Sequence, residues 1–366
     1  MAEISFKMKI CILVGTRPEI IKMAPVIREC GKRKLDFFII HSGQHYSYNM
    51  DKIFFEELNL PEPKYNLEVG SGAHYLQTAR ILEKVGTALI EEKPDILLAQ
   101  GDTNTVLAGA VTSAKLYIRV GHIEAGLRSY DWSMPEEINR VLTDHCSHML
   151  FAPTELQRKI LLGEGIAKEK IFVTGNTIVD AVLQNIKLAD SNVLKKFGLE
   201  KQHYLLVTAH RQENVEHKEK LEKILTALKM LFDKYKIPII YPMHPRTKNN
   251  IEQFRIKIPK GIIITEPLGF LEFLKLEADA KLILTDSGGV QEEACILKVP
   301  CVTMRENTER PETIEAKSNM IAGTSPEKIL SCVEKMLNSD RKWKNPFGDG
   351  DAAEKIIDAV VKALKK

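Results

Sequence analysis

The sequence predicts an α/β protein of two Rossmann-like domains facing across a cleft, and three observations carry that prediction. Short apolar runs of strand character repeatedly end in a polar, often glycine-bearing cluster, after which apolar residues take up helical spacing. The pattern runs through both halves of the chain, with a polar stretch over 189–202 between them. At 366 residues the chain also exceeds one typical core. We expect an N-terminal domain over 1–186, a C-terminal domain over 187–351 and a last helix over 352–366.

Taken in order, a strand over 9–14 stops at Gly15-Thr16-Arg17-Pro18-Glu19, and Ile20, Ile21, Met23, Ala24, Val26 and Ile27 then follow helical spacing. Pro18 suits the first helical position, where its missing N–H costs nothing. A strand over 37–41 leads through Gly43-Gln44-His45 to a helix near 49–58, and a helix over 73–92 leads to a strand over 95–99. That strand ends in Gln100-Gly101-Asp102-Thr103. A helix over 106–115 feeds a strand over 117–120, whose end carries Gly121-His122-Ile123-Glu124. Beyond Trp132 and Pro135 a helix carries Glu136, Glu137 and Arg140, followed by strands over 149–151 and 171–173. The second half repeats the architecture without sequence repetition. Its strands over 204–208, 237–241, 262–265 and 301–304 end in His210-Arg211, His244-Pro245, Leu268-Gly269-Phe270 and Glu309-Arg310. Helices over 326–337 and 352–364 close the chain.

The stretch LILTDSGGVQEEA, 282–294, reads as strand, glycine turn and helix. Gly288 and Gly289 let a ligand approach the backbone, and the first helical N–H groups suit a phosphate. Glu292 and Glu293, placed in the first helical turn, can accept ribose hydroxyls. Alternatively, Ser287 caps the helix and the glycines serve strand–helix packing. Both readings stand on this segment alone.

The groups Arg17, Glu19, Asp102, Glu124, His210, His244, Ser287 and Arg310 all follow the carboxyl ends of predicted parallel strands, where open α/β sheets bind ligands. Two such sheets facing each other put them around one cleft. The second half supplies mostly cations and donors, whereas the first sets Arg17 and Lys22 beside the carboxylates Asp102, Glu124 and Glu136. A nucleotide sugar matches that division. Each piece has a plainer reading: structural histidines, a helix cap at Gly101-Asp102-Thr103, a surface pair of Glu136 with Arg140.

Composition narrows the field. A net charge of +3 with no basic, aromatic-laced run argues against nucleic acid. Six scattered cysteines without CxxC spacing read as reduced thiols of a cytoplasmic protein. The N-terminal apolar run is too short and too quickly broken for a signal peptide or membrane span. There is no HExxH, clustered Cys/His set, Walker-type loop or GxGxxG after the first strand, so neither a metal nor a cofactor is expected.

The motifs GTRPEIIKMAP (15–25), GDT (101–103), VGHIEAGLRS (120–129), PEEINR (135–140), TGNTIVDA (174–181), TAHRQEN (208–214), LTDSGGVQEEA (284–294), TERPE (308–312) and NPFGDG (345–350) resemble the non-hydrolysing UDP-N-acetylglucosamine 2-epimerases, in order and over the whole chain. The resemblance implies a glycosyltransferase-B-like arrangement with the C-terminal helix returning to the first domain. It implies interconversion of UDP-N-acetylglucosamine and UDP-N-acetylmannosamine, with UDP as the leaving group, in polysaccharide biosynthesis, by a homodimer. Arg17, Lys22, His210, Ser287, Gly288, Gly289 and Arg310 are then expected around UDP and sugar, with Arg140 and His244 beside them. Glu293 is expected on the ribose, and the loop from Leu268 to Phe273 against uracil. Asp102, Glu124 and Glu136 match the family's proton-transfer carboxylates, with Asp102 leading and His210 on the diphosphate. In bacterial relatives a second UDP-N-acetylglucosamine activates through a Gln-His pair and an arginine. Gln44 and His45 match, but 46–48 and 70–74 depart and bring no arginine, so hyperbolic kinetics without added activator are expected.

Three other activities share many of these features. A hydrolysing 2-epimerase releases UDP and free N-acetylmannosamine, and a glycosyltransferase needs an acceptor. A non-catalytic UDP-sugar sensor has no use for three carboxylates.

Overall fold

The computed structural model describes residues 8–44 and 48–365 and divides into two units. One is formed by the chain up to Leu183 together with the segment from Phe347 onward, and the other is Gln184–Pro346. Each is a parallel sheet with helices packed on it.

The first unit contains β1 (Lys9–Val14), α1 (Arg17–Lys32), β2 (Asp36–His41), α2 (Tyr48–Glu57), β3 (Tyr65–Asn66) and α3 (His74–Glu92). It continues with β4 (Ile96–Gln100), α4 (Asn104–Lys115), β5 (Arg119–Ile123), α5 (Pro135–Cys146), β6 (Met149–Ala152), α6 (Glu155–Gly163), β7 (Ile171–Val173) and α7 (Thr177–Asn185). The seven strands lie in the order β3-β2-β1-β4-β5-β6-β7, all parallel. Strands covered on both faces must be apolar throughout, and Ile10 to Val14 and Ile96 to Ala99 are all buried. Leu13 and Leu97 pack under α3 and α4 through Ile81, Val85, Leu89 and Val106. Gly109 of α4 makes the close approach: a methyl there would stand 2.2 Å from Leu13. Each fully buried aliphatic of this layer is worth roughly 1.5–3 kcal/mol.

The second unit contains α8 (Val193–Lys196), β8 (Leu205–Thr208), α9 (Gln212–Val215), α10 (Lys218–Tyr235), β9 (Ile239–Pro242), α11 (Pro245–Gln253), β10 (Ile262–Thr265) and α12 (Phe270–Asp279). Then follow β11 (Leu282–Thr285), α13 (Gly288–Ile296), β12 (Cys301–Thr303), α14 (Pro311–Glu315), β13 (Asn319–Ile321) and α15 (Pro326–Leu337). Its six parallel strands run β10-β9-β8-β11-β12-β13. Leu205, Val207, Leu282 and Leu284 form a core with Leu221, Ile224, Leu228 and Leu231 of α10 and Ile329 and Val333 of α15.

The last helix, α16 (Ala352–Leu364), belongs to the first unit. Asp180 of α7 accepts hydrogen bonds from the Ala352 and Ala353 N–H groups at 3.2 and 2.9 Å, capping its start, and Arg33 of α1 pairs with Asp358 at 2.6 Å. The return begins before this helix, at Phe347, whose carbonyl accepts from the Asn176 N–H at 2.8 Å.

Several local expectations need correction. Tyr117 sits in a turn with φ of 60°, so β5 starts later and runs through His122, which lies inside a strand and not in a loop. Gly121 makes that continuation fit, since a methyl there would stand 2.6 Å from Leu98. Helix α13 starts at Gly288, which moves Glu292 and Glu293 into its second turn. Among the described residues no helix is long and apolar enough to cross a membrane.

Candidate active site

In each sheet the strand order reverses once, between β1 and β4 and between β8 and β11. Connections on the two sides of that point leave in opposite directions and open a crevice at the carboxyl ends of the strands. The predicted site residues collect at these two places.

In the first unit, β1 ends at Gly15, where any side chain would collide with Thr105 and Ser42, its Cβ lying 2.2 and 2.4 Å from their hydroxyl oxygens. Glu19, in the first turn of α1, folds back over this bend. It accepts hydrogen bonds from the Gly15 N–H (2.5 Å), the Thr16 N–H (3.1 Å) and the Thr103 hydroxyl (2.5 Å). Burial pushes its carboxyl up to about 7, against those three donors and assisted by the charge of Asp102. Arg17 lies over the Phe54 ring at 5.0 Å.

Asp102 follows β4 and remains partly open to solvent. Its carboxylate pairs with Arg140 of α5, whose guanidinium also binds Glu137 at 2.7 Å. Its backbone is held as well: Asn139 donates to the Asp102 carbonyl at 2.9 Å and His122 donates to the neighbouring Gly101 carbonyl at 2.7 Å. His122 is anchored in turn by Asp144 at 2.6 Å. Against burial, His122 and Arg128 hold the Asp144 carboxyl below the usual carboxylate range. Glu124 follows β5 with φ of 69°, a left-handed conformation that costs a non-glycine residue about 1–3 kcal/mol. The bend turns its buried carboxylate onto Gln100 (2.7 Å) and Lys22 (2.6 Å). Asp102 and Glu124 are therefore each oriented by a cation.

On the plainer reading of its spacing, Glu136 would pair with Arg140, four residues on. Arg140 instead turns to Asp102 and Glu137, and Glu136 stays exposed. Burial opposes ionisation of Glu137, but the Ser129 and Tyr130 N–H groups, the Ser129 hydroxyl and Arg140 hold it below the usual range. Gln44 is buried, its side-chain oxygen accepting from the Thr105 N–H (3.0 Å) and hydroxyl (2.7 Å). The structure gives it a supporting role at the start of α4. His45 lies outside the described residues.

In the second unit, His210 and His244 follow β8 and β9 and line a cavity of about 280 Å³ with Thr208, Pro242, Leu268, Phe273 and Val290. The lining is mainly apolar and the volume suits a planar base. Asp286, fully buried, fixes the His210 turn by accepting from the His210 N–H (3.1 and 3.0 Å), the Arg211 N–H (3.0 Å) and Asn214 (3.1 Å). Desolvation, then the charges of Arg211, His244 and Arg246, outweigh Asp286 and hold the His210 imidazole below its ordinary range. The His244 Nδ1 accepts from the Arg246 N–H at 3.1 Å.

Ser287 precedes α13, but its side chain does not cap it; its N–H donates to the Thr285 hydroxyl at 2.9 Å. Packing does not demand glycine here, because a methyl would meet nothing nearer than 3.6 Å at Gly288 or 3.9 Å at Gly289. With no side-chain cap from Ser287, the helix start suits an anion, although the Glu309 carboxylate lies 3.6 Å from where a Gly288 methyl would stand. Arg310 stands 2.8 Å from Glu292 and donates to the Glu309 carbonyl at 3.0 Å, while Glu293 lies beside Glu277 of α12. Among the described residues no group of three or more His, Cys, Asp or Glu side chains is arranged to hold a metal ion.

Glu137, Gln100, Asp286 and Glu277 were not read from the sequence as parts of the site. The spacing of Glu137 three residues before Arg140 on a helix was an available signal. Nothing local marked the others, whose partners lie far away in sequence.

The family model described as UDP-N-acetylglucosamine 2-epimerase matches residues 28–361. The UDP-N-acetylglucosamine 2-epimerase of Methanocaldococcus jannaschii is 56% identical over 358 residues, covering 96% of this chain and 98% of that protein. The UDP-2,3-diacetamido-2,3-dideoxy-D-glucuronate 2-epimerase of Pseudomonas aeruginosa is 38% identical, covering 97% of this chain and all of that one (100%). Among solved structures, the Methanocaldococcus jannaschii UDP-GlcNAc 2-epimerase in complex with UDP-GlcNAc and UDP aligns with a TM-score of 0.88 at 56% identity, over 97% of this chain and 100% of that one. The Neisseria meningitidis UDP-GlcNAc 2-epimerase bound to UDP-GlcNAc also gives 0.88, at 32% identity, over the same 97% and 100%. With the family model spanning most of the chain and relatives this similar over nearly their full length, the chain belongs to the UDP-N-acetylglucosamine 2-epimerase family.

Proposed function

We propose that this chain interconverts UDP-N-acetylglucosamine and UDP-N-acetylmannosamine by eliminating and re-adding UDP. The observation that carries the reading is the division of labour between the two strand-order reversals. One presents carboxylates already oriented by cations, and the other a base-sized cavity beside a glycine-led helix start.

The C2 proton of the sugar is too weakly acidic to leave unaided. In the proposed step a carboxylate takes it, the C–H electron pair forms the C1–C2 double bond, and the C1–O bond breaks with its pair leaving on UDP. The intermediate is 2-acetamidoglucal. Return adds the diphosphate oxygen to C1 and a proton to the opposite face of C2. That needs an acid/base group on each face or one with two reaches. Asp102 is assigned as the leading base, with Arg140 orienting it. Glu124 and the exposed Glu136 complete proton delivery. His210, Arg310, Arg17 and the first N–H groups of α13 receive the charge developing on the departing diphosphate, charge-assisted hydrogen bonds being worth roughly 1.5–3 kcal/mol each. Leu268 and Phe273 take the uracil and Glu293 the ribose hydroxyls.

The test is incubation with UDP-N-acetylglucosamine in D2O, read by NMR. Deuterium at C2 of both UDP-sugars supports the reading. Free N-acetylmannosamine would point to hydrolysis, and an unlabelled, unchanged UDP-sugar to a binding protein. The proposal includes a homodimer, checked by sedimentation, and a cytoplasmic setting, which six free cysteines fit.

A further inference from the structure

Glu277 is a carboxyl group that no step above uses. It is fully buried on α12, whose Leu276 belongs, with the following Ala280, to an apolar layer with Ile283, Val290, Ala294 and Cys301. Neither of its oxygens receives a hydrogen bond from an N–H or hydroxyl donor. The carboxyl group of Glu293, on α13, lies within hydrogen-bonding reach of it. The other titratable groups near it are Cys301 on β12 and Tyr204 just before β8, both pushed up by burial and so uncharged at neutral pH. On its own helix, Asp279 is engaged with Lys275 at 2.8 Å. No cation is paired with Glu277 among the described residues.

Two carboxylates cannot face each other in such a place with both charges exposed to one another. A proton between them resolves the conflict and makes one group a donor. We propose that Glu277 is that donor: a protonated positioning residue that holds the half-buried Glu293 carboxylate in the pose that accepts a nucleoside's ribose hydroxyls. Burial, which raises the Glu277 carboxyl well above its usual range, supports the assignment. The nucleoside-binding group is then the pair, titrating as a unit. Raising the pH removes the shared proton, sets two negative charges against each other, and swings Glu293 out of position. This inference rests on Glu293 being the ribose ligand.

The experiment is calorimetric titration of the full chain with UDP between pH 6.5 and 9, for wild type, Glu277→Gln, Glu277→Leu and Glu293→Ala. Ionisation of UDP itself is common to all four. Wild-type affinity should fall across the alkaline half by about tenfold beyond the fall shown by Glu277→Gln, which keeps a donor and cannot titrate. Glu277→Leu should bind about tenfold more weakly throughout, with an unchanged or raised melting temperature, because an apolar residue of similar size replaces a buried acid. Should Glu277→Leu fail to fold, the comparison of wild type with Glu277→Gln still decides. Wild-type affinity in a folded Glu277→Leu, or an alkaline fall in Glu277→Gln equal to that of wild type, would overturn the pairing. Undiminished affinity in Glu293→Ala would instead remove the ribose assignment beneath it.

Discussion

The two units place their functional groups at equivalent positions of equivalent sheets, yet treat charge in opposite ways. In the first, the acids are held and aimed: Asp102 by Arg140, Glu124 by Lys22 and Gln100, Glu19 by two backbone N–H groups and Thr103. In the second, the buried acid Asp286 is spent on shaping the backbone, leaving His210, His244 and the start of α13 to face outward as donors. A parallel sheet offers the same crevice in both cases. Which chemistry it performs depends on whether the acids are oriented as reagents or consumed as scaffolding.

If that contrast is right, substitutions in the two units should break different quantities. Beside the leading base, a large effect is expected for Glu124→Gln, which keeps the shape and removes the charge. Turnover should fall by about 10²–10⁴ while UDP affinity stays within about twofold. A comparable loss of UDP affinity would show that the first unit also grips the nucleotide. His210→Ala should do the reverse, weakening UDP by about ten- to a hundredfold, the value of about 1.4–2.7 kcal/mol at a charge-assisted contact. Deuterium should still enter C2 at saturating substrate. Smaller again is Gly289→Ala. The added methyl meets no protein atom nearer than 3.9 Å, so stability should hold or rise slightly while UDP binds several-fold more weakly. Unchanged affinity would return these glycines to a packing role.

A separate effect falls on stability and not on catalysis or binding. The folded Glu19 carboxyl sits at about 7, above its ordinary value of 4.5, so the native state retains a proton that the unfolded chain has lost. Its contribution is complete below the unfolded value and disappears as the pH rises through about 7, a change on the order of 3 kcal/mol. Melting temperatures measured from pH 4 to pH 8 should therefore decline more steeply for wild type than for Glu19→Gln. Parallel profiles would mean that Glu19 is ionised throughout.

The alternation of strand and helix was legible because each β-strand of the sheet interiors is apolar on both faces and stops abruptly. Glycine and polar residues after Val14, Gln100, Thr208 and Thr285 marked the crevices without any knowledge of strand order. The two-residue β3 and three-residue β13 were not legible, since neighbouring strands create them. Helix spacing suggested Glu136 as the partner of Arg140, but spacing only says which side chains share a face. Tertiary packing brought Asp102 closer and Glu137 into better geometry. Nothing in the local sequence marked Glu277, whose full burial is a product of tertiary packing.

Asp102→Asn gives the sharpest test of the central claim that one unit grips and the other moves protons. UDP binding and the entry of solvent deuterium into C2 of UDP-N-acetylglucosamine should be measured on the same preparation. The account predicts UDP affinity within about twofold of wild type and isotope entry slowed by about 10²–10⁴. Isotope entry at the wild-type rate would contradict it.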